Sequence, residues 1–323
     1  MKSGEVKCLS DLGEFGLIGR IRERFRAPEG VTGIGDDCAV IPQRSGRDTL
    51  VSTDMLIEGT HFLRADIPPY ALGWKSAAVN ISDIAAMGGT PTATFLSVAL
   101  PAGLEAGWMD EFLRGYAELS ERFGAALLGG DTTASPDRIC INVAVLGECP
   151  SGSARLRSAA REGDLVCVTG CLGDSAAGLK AILEGVERDA DVQSLIDRHY
   201  LPMPRVAEGL ELSSNRYVHA MMDISDGIGS DLQHILEASG VGAEIGLPSL
   251  PLSPVLQRVC ARLGWDAAAL AAGGGEDYEL LFTCTPEAEQ ALDVPHFVIG
   301  EMTTQGGLRG LEGLSGFDHF RKS

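Results

Sequence analysis

The stretch PYALGWKSAAVNISDIAAMGGTPTATFLSVAL, residues 69–100, carries the pattern that decides the fold class. Residues 69–87 have helical apolar spacing, with a proline near the start and Gly88-Gly89 at the end. Residues 92–100 are apolar and β-branched, which predicts a strand. A helix that leads directly into a strand is typical of an α/β layer structure.

Similar elements are predicted on both sides of this stretch. Apolar runs that end in glycine or aspartate predict further strands, among them 31–41, 48–54 and 125–130, and amphipathic runs predict further helices. The second half alternates the two again, from DLVCVTG at 164–170 to HFVIGEM at 296–302. Between the halves, residues 149–164 are rich in serine, glycine and arginine, with little apolar periodicity. We therefore predict an α/β (α+β) protein with two domains, residues 1–148 and 149–323.

Composition narrows the class of protein. With 45% hydrophobic and 22% charged residues, the chain can bury substantial cores. Its net charge of −19 argues against a nucleic-acid partner, because binding a phosphate backbone requires clustered Lys and Arg. No apolar stretch approaches the roughly 20 residues that span a membrane, and acidic residues stand where a signal peptide would be apolar. Eight cysteines without a CxxC pair predict buried, reduced thiols, so we expect a soluble, cytoplasmic protein.

Five times, an apolar run ends in an aspartate set among glycine, serine or threonine. We expect these carboxylates at strand ends, on small-residue turns, along one rim of a sheet, where metal ions and phosphates are usually held. For any single aspartate, a helix cap or a turn is the alternative. The segments are GIGDDCAVI (Asp36, Asp37), LVSTDMLIEGTHF (Asp54), AVNISDIAAMGG (Asp83), ALLGGDTT (Asp131) and MMDISDGIGSD (Asp223, Asp226).

Clustered carboxylates would need a counter-charge. Two of them about 4 Å apart repel by roughly 4 kcal/mol at an effective dielectric near 20. Either the motifs lie apart, or cations bind among them. Mg²⁺ is the natural candidate because it takes carboxylate and hydroxyl oxygens, keeps several waters and bridges to phosphates. Ser52-Thr53-Asp54 places two hydroxyls beside a carboxylate, which suits that chemistry.

Two glycine-rich segments add candidates for ligand binding. GGD at 129–131 offers backbone amides that a phosphate can approach closely, although the same tripeptide is a common turn. In GGGEDYELLF, residues 273–282, Glu276 and Asp277 stand at a strand entrance, where a polar turn is the alternative. A P-loop is excluded because Leu179 stands where its lysine is required.

Taken together and in order, seven motifs closely resemble the thiamine-monophosphate kinase family. The resemblance covers nearly the whole chain, from about residue 11 to FDHF at 317–320. It implies a PurM-like, ATP-using homodimer, in which the N-terminal mixed sheet with its helices pairs in the dimer and binds ATP and Mg²⁺. The C-terminal α/β domain would close the active-site cleft. The motifs are GIGDDCAVI, STDMLIEGTHF, NISDIAAMGGTP, LLGGDTT, GDSAAGL, MDISDGI and GGEDYELLF.

The resemblance also implies the reaction and its residues. ATP would phosphorylate thiamine monophosphate to thiamine diphosphate, the last step of thiamine diphosphate biosynthesis. Because the acceptor phosphate is already ionised near neutral pH, no strong general base is needed, and we hypothesise direct in-line transfer. The implied metal ligands are Asp37, Ser52, Thr53, Asp54, Asp83, Asp131, Asp223 and Asp226, of which Asp54, Asp83, Asp131 and Asp226 are the catalytic candidates. The implied ATP contacts are Gly130, Asp131, Arg157 and Ser225, and the implied substrate contacts are His61, Glu276 and Phe317.

Three rival readings make different demands on the sequence. A selenophosphate-type enzyme should carry a reactive cysteine in a glycine-rich, lysine-bearing loop, whereas Cys8 lies in VKCLSDLGE. A hydrogenase-maturation enzyme should end in a cysteine-bearing tail, whereas this sequence ends HFRKS. A calcium-binding module should show DxDxDG followed by glutamate, a pattern that the sequence lacks.

A tyrosine that contacts nucleotide in some family members has no clear match near Leu113, which leaves the adenine contacts open.

Overall fold

The structure is a computed structural model, and the predicted two-domain α/β architecture is confirmed. Its residues divide into two units. The first contains residues up to Ile84 together with Thr90–Ser151, and the second contains Ala85–Gly89 together with residues from Gly152 onward. The described residues are 20–21, 23–26, 28–29, 44–304 and 306–311.

A mixed sheet forms the described part of the first unit. Its strands are β1 (Arg47–Ile57), β2 (Thr90–Pro101), β3 (Ala126–Ser135) and β4 (Cys140–Pro150). The order is β1-β4-β2-β3, in which β4 pairs antiparallel with both β1 and β2, and β3 pairs parallel with β2. Buried residues alternate with partly exposed ones along β4, so one face of the sheet is covered and the other is not.

Between residues 44 and 151 the helices are α1 (Pro69–Ala86) and α2 (Ala106–Arg122). Proline at the first position of α1 suits a helix start, because the N–H it lacks would have no helical partner. Leu72, Ala77 and Ile81 of α1 are fully buried, as are the polar Ser76 and Asn80. A helix buried on nearly all sides requires its polar groups to find partners, and those partners build part of the site described below.

The second unit contains a larger mixed sheet. Its described strands are β5 (Leu165–Val168), β6 (Val218–Asp223), β7 (Gly242–Ile245), β8 (Leu280–Cys284), β9 (Phe297–Thr303) and β10 (Gly307–Arg309). Their order is β10-β7-β9-β5-β8-β6, with β10 parallel to β7 and the other pairs antiparallel. Every residue of β6 and β8 is buried, as expected for strands covered on both faces.

Along the chain, helices connect the strands of this second sheet. They are α3 (Asp174–Leu183), α4 (Ala190–Tyr200), α5 (Val206–Ser214), α6 (Ile228–Ser239), α7 (Pro254–Leu263), α8 (Ala267–Gly273) and the short α9 (Pro286–Glu289). In α6 the buried residues Ile228, Leu232, Ile235 and Leu236 follow helical spacing and join the main core cluster. This burial fixes the start of α6, and with it the turn that follows β6.

The structure differs from the sequence-based expectations in two respects. The strand predicted at 125–130 continues through a polar segment to Ser135, because that segment pairs with β2. The expectation that each aspartate ends a strand is therefore wrong for Asp131, and it is also wrong for Asp54 inside β1. It is wrong as well for Asp83, which lies inside α1, and right for Asp223, the last residue of β6. The strand predicted at 31–41 lies outside the described residues.

Within the described ranges, every helix is too short or too polar to cross a bilayer.

Candidate active site

The first group of predicted site residues lies where β1 crosses α1. The Ser52 hydroxyl donates to Asp83 Oδ2 at 2.5 Å, which ties the strand to the helix. One turn earlier in the helix, Asn80 Oδ1 accepts the backbone N–H of Asp54 at 3.1 Å, and Asn80 Nδ2 donates to the carbonyl of Ser76. Ser52, Asp54 and Asp83 are thus brought together, as the sequence motifs predicted. Asn80 was not predicted as a site residue, although it stands three positions before Asp83 and therefore lies on the same face of the helix.

Ionisation of the Asp54 carboxyl group is strongly disfavoured. Burial raises the pKa of Asp54 to about 7, and repulsion from the neighbouring Asp83 adds to the rise. A carboxylate that titrates near neutrality beside a second carboxylate is in a site short of positive charge.

Thr53 points to the opposite face of β1. Its hydroxyl donates to the carbonyl of Val143 at 3.0 Å and accepts from Asn142 Nδ2 at 2.9 Å. The same Asn142 amide donates to the carbonyl of Asp54 at 3.0 Å. Asn142 therefore fixes the backbone at the Ser52-Thr53-Asp54 motif from one side of the sheet, while Asn80 fixes it from the other.

The GGD motif lies inside β3. Gly130 has a φ of 151°, and a Cβ at this position would stand 1.8 Å from the carbonyl oxygen of Leu96. Only glycine fits this backbone. Asp131, the next residue, is exposed, and its Oδ1 accepts the N–H of Thr132 at 2.9 Å.

Strand register shows how Asp131 is placed relative to Asp54. Across the sheet, Asp54 is in register with Val143 on β4, Leu96 on β2 and Gly130 on β3. Gly130 is therefore three strand spacings, or about 14 Å, from Asp54. Asp131 instead pairs with Ser97 and so faces the other side of the sheet. The sheet of a single chain therefore does not bring the carboxylates of Asp54 and Asp131 together.

His61 closes the loop that follows β1. Its backbone N–H donates to the carbonyl of Ile57 at 2.9 Å, and its ring Nδ1 accepts the N–H of Ile57 at 3.0 Å. Because Nδ1 accepts, the ring proton of the neutral form is on Nε2. Nε2 can donate to an anionic oxygen, which is compatible with the predicted contact to a substrate phosphate.

The second group of predicted residues follows β6 in the other unit. Asp223 is buried, and the chain then turns through Ser225 and Asp226 into α6. Asp231 Oδ2 accepts the backbone N–H groups of Ser225, Asp226 and Gly227 at 3.1, 3.2 and 3.0 Å. Burial, together with repulsion from the two predicted metal ligands, raises the pKa of Asp231 to about 8. Asp231 was not among the predicted site residues, although it is the last residue of the segment MMDISDGIGSD.

The glycine-rich segment with Glu276 is bonded to this turn. The N–H of Glu276 donates to the carbonyl of Ser225 at 2.8 Å, and that of Tyr278 donates to the carbonyl of Ile224 at 2.9 Å. A Cβ on Gly275 would stand 2.3 Å from the Ser225 carbonyl, so glycine is required for this approach. The predicted substrate residue Glu276 and the predicted ATP residue Ser225 therefore lie on two joined segments.

The backbone around Glu276 adopts an uncommon conformation. Glu276 and Tyr278 have φ values of 63° and 50°, in the left-handed region that glycine favours. Between them, the partly buried Asp277 accepts the N–H groups of Gly173 at 2.7 Å and Ser175 at 3.3 Å, at the start of α3. Burial raises the pKa of Asp277 to about 8. The α3 N-terminus thus anchors the strained segment.

A buried histidine contacts the Glu276 side chain. His199 Nδ1 lies 3.3 Å from Glu276 Oε2 and 3.1 Å from Ser175 Oγ. No local sequence pattern predicts this contact, since His199 and Glu276 belong to segments far apart in the chain. The neighbouring polar recess is bordered by Asp277, Arg205 and Glu279. Arg205 donates to both carboxylate oxygens of Glu279, so these two charges neutralise each other.

The remaining predicted residues are less informative. Arg157 lies in a short 3-10 helix (Arg157–Ala159), is exposed, and accepts a hydrogen bond from Ser239 Oγ through its carbonyl at 2.7 Å. Asp37 and Phe317 lie outside the described residues.

The oxygen groups found here fit Mg²⁺. Asp54, Asp83 and Ser52 offer hard oxygen donors, and the raised pKa of Asp54 reflects burial and a like charge that a cation would relieve. Among the described residues, no group of three His, Cys, Asp or Glu side chains forms a complete metal cage. Mg²⁺ needs no such cage, because it retains waters and binds substrate phosphates.

Comparisons with known proteins point to one family. Residues 35–149 match the family model described as AIR synthase related protein, N-terminal domain, and residues 161–310 match the corresponding C-terminal domain. The thiamine-monophosphate kinase of Escherichia coli (strain K12) is 40% identical over an alignment of 336 residues, gaps included. The alignment covers 95% of this chain and 98% of that protein.

Solved structures agree with these matches. The crystal structure of thiamine-monophosphate kinase from Stenotrophomonas maltophilia K279a has a TM-score of 0.82 at 36% identity, covering 92% of this chain and 96% of that one. The structure of AaThiL complexed with AMPPCP and TMP has a TM-score of 0.81 at 36% identity, covering 99% of this chain and 100% of that one.

Proposed function

The chain belongs to the thiamine-monophosphate kinase family, and we propose that it transfers the γ-phosphoryl group of ATP to thiamine monophosphate, giving ADP and thiamine diphosphate. The single observation that carries this proposal is the match over 99% of this chain to the AaThiL structure complexed with AMPPCP and TMP. A match of that length includes both units, so both groups of residues described above fall within it.

The two groups of site residues support a phosphoryl transfer between anions. Such transfers pass through a loose transition state with charge on the equatorial oxygens, so catalysis consists mainly of alignment and charge neutralisation. Asp54, Asp83 and Ser52 in the first unit would hold Mg²⁺, and Asp226 in the second unit would do the same. Bound Mg²⁺ supplies the positive charge that lets two phosphate-bearing ligands approach each other.

The protein's own residues would position the two ligands. The tightly packed Gly130 brings backbone close to the nucleotide phosphates, and Ser225 is held on the turn before α6. Glu276 and the Nε2 of His61 would orient thiamine monophosphate. Because the acceptor oxygen is already ionised near pH 7, we propose direct in-line transfer without a general base or a phosphoenzyme.

We also propose that the enzyme is a cytoplasmic homodimer. Among the described strands β1 has a neighbour on one side only, and its Val51 and Met55 are 69% and 51% exposed. A long edge strand with exposed apolar residues favours pairing with a second copy. The six described cysteines are free thiols, in keeping with a reducing compartment. Light scattering of the purified protein tests the dimer, and a monomer at micromolar concentration would contradict it.

A substrate comparison tests the proposed function. The protein is incubated with ATP, Mg²⁺ and either thiamine monophosphate or free thiamine, and the products are separated by anion-exchange chromatography. We expect equal amounts of ADP and thiamine diphosphate in the first reaction and no product in the second. The Asp54→Ala variant is the control for a contaminating kinase. Phosphorylation of thiamine but not of its monophosphate would overturn the assignment.

A further inference from the structure

One carboxylate oxygen organises the turn between β6 and α6. Asp231 is only 1% exposed, and its Oδ2 accepts three consecutive backbone N–H groups, those of Ser225, Asp226 and Gly227. Backbone N–H groups that are shielded from water need acceptors, and a side chain in the first turns of a helix can reach back to the residues before the helix to supply one. Here Gly227 occupies the cap position without a side chain, and the partner is supplied from within the helix.

The turn held in this way carries Ser225 and Asp226, the residues proposed to meet ATP and Mg²⁺. We propose that Asp231 is a positioning residue for the kinase reaction: it fixes the turn 225–227 so that Asp226 and Ser225 face the bound nucleotide. This inference rests on the proposed function for the roles of the turn residues. The hydrogen bonds that define the positioning belong to the free protein.

The geometry makes a specific statement about which substitutions are tolerated. All three N–H groups reach the same oxygen of Asp231, so the amide oxygen of an asparagine can accept all three. Asp277 differs, because its Oδ2 accepts from Gly173 and its Oδ1 accepts from Ser175. An asparagine at 277 would turn an NH₂ group toward one of those N–H donors. Asp231→Asn should therefore preserve the turn, whereas Asp277→Asn should disturb its own loop.

The three hydrogen bonds require only an acceptor oxygen at position 231, which asparagine keeps while it loses the negative charge. If Asp231 were instead a metal ligand, loss of its charge would weaken metal binding. The asparagine variant therefore separates a positioning role from a ligand role.

The test uses the full-length protein with Asp231→Asn and Asp231→Ala. Asp266→Ala is the matched control, because Asp266 also caps a backbone N–H, that of Ala269 in α8. Hydrogen exchange of the peptide that spans 223–232 reports on the turn directly. Electron paramagnetic resonance titration with Mn²⁺ and the ATP analogue AMPPCP reports on metal binding without turnover.

We expect Asp231→Asn to keep wild-type exchange in this peptide and to bind Mn²⁺ within about threefold of wild type. Asp231→Ala should exchange at least about 10-fold faster there and bind Mn²⁺ at least about 10-fold more weakly, the size expected when buried N–H donors lose their acceptor. Asp266→Ala should match wild type in both measurements.

Two results would overturn the proposal. Wild-type exchange in Asp231→Ala would show that the carboxylate does not hold the turn. Mn²⁺ binding weakened at least about 10-fold in Asp231→Asn would assign Asp231 to the metal, and this result decides the matter even where the alanine variant does not fold. A wild-type protein inactive on thiamine monophosphate would refute the proposed function alone, because the exchange result does not depend on a substrate.

Discussion

Asp54→Asn should stabilise the protein in the absence of divalent cations, by an amount that grows between about pH 4 and pH 7 and is complete above that range. The pKa of Asp54 is raised from 3.8 to about 7 by burial and by Asp83. At about 1.4 kcal/mol for each pKa unit, this disfavours the ionised carboxylate by about 4 kcal/mol. Asp54 is partly exposed to solvent, so screening reduces the effect to about 1–3 kcal/mol.

The sign of the pH dependence follows from linkage. Between about pH 4 and pH 7 the folded protein holds a proton on Asp54 that the unfolded chain has released, so the free energy of unfolding of wild type falls as the pH rises. Above about pH 7 both states are ionised, and this contribution becomes constant. Asparagine does not titrate. The advantage of Asp54→Asn should therefore be about one third complete at pH 5 and complete at pH 8.5.

Urea unfolding at these two pH values, with EDTA, measures the effect. Trp74 and Trp108 report on the first unit by fluorescence when Trp265 is replaced by phenylalanine. Asp137→Asn, at an exposed position in the same unit, is the control and should stay within about 0.5 kcal/mol of wild type. Addition of Mg²⁺ at pH 8.5 should stabilise wild type more than Asp54→Asn. An Asp54→Asn protein no more stable than wild type at pH 8.5 would refute the reasoning.

Three other substitutions probe the site and its supporting backbone. His199→Phe removes the ring nitrogen beside Glu276 and should raise the KM for thiamine monophosphate about 10-fold in steady-state assays. An equal rise in the KM for ATP would contradict this. Gly130→Ala places a Cβ against a backbone oxygen and should lower the free energy of unfolding in urea by at least about 2 kcal/mol. Gly107→Ala, in open space on a helix, should change it by less than about 1 kcal/mol. Asp131→Ala, at an exposed position, should keep the wild-type circular dichroism spectrum and lose at least about 100-fold in kcat, and near-normal turnover would count against its metal-site role.

The fold class was predictable because long elements have clear apolar patterns. The helix at 69–86 and the strand at 90–101 follow directly from apolar spacing and from Gly88-Gly89 between them. The polar half of β3 was not predictable, because pairing with β2 overrides the turn preference of its residues. The short helices between 254 and 273 were missed among glycines and prolines that resemble a loop.

Within the site, motif residues were easier to predict than the residues that support them. Ser52, Asp54 and Asp83 belong to recurring motifs and lie together. Asn142 and His199 contact the motifs only through tertiary structure, so their roles leave no pattern in the sequence. The carboxylates of Asp54 and Asp131 lie on opposite faces of one sheet, a consequence of strand register that no motif reveals.

Single-turnover transfer of labelled phosphate tests the central claim most directly. Excess enzyme is mixed with ATP labelled at the γ-phosphate, Mg²⁺ and thiamine monophosphate, and the reaction is quenched at millisecond intervals. Direct transfer predicts that label leaves ATP and enters the terminal phosphate of thiamine diphosphate at the same rate, with none on the protein. Label trapped on the protein before thiamine diphosphate forms would contradict direct transfer. Label released as inorganic phosphate would contradict the kinase assignment itself.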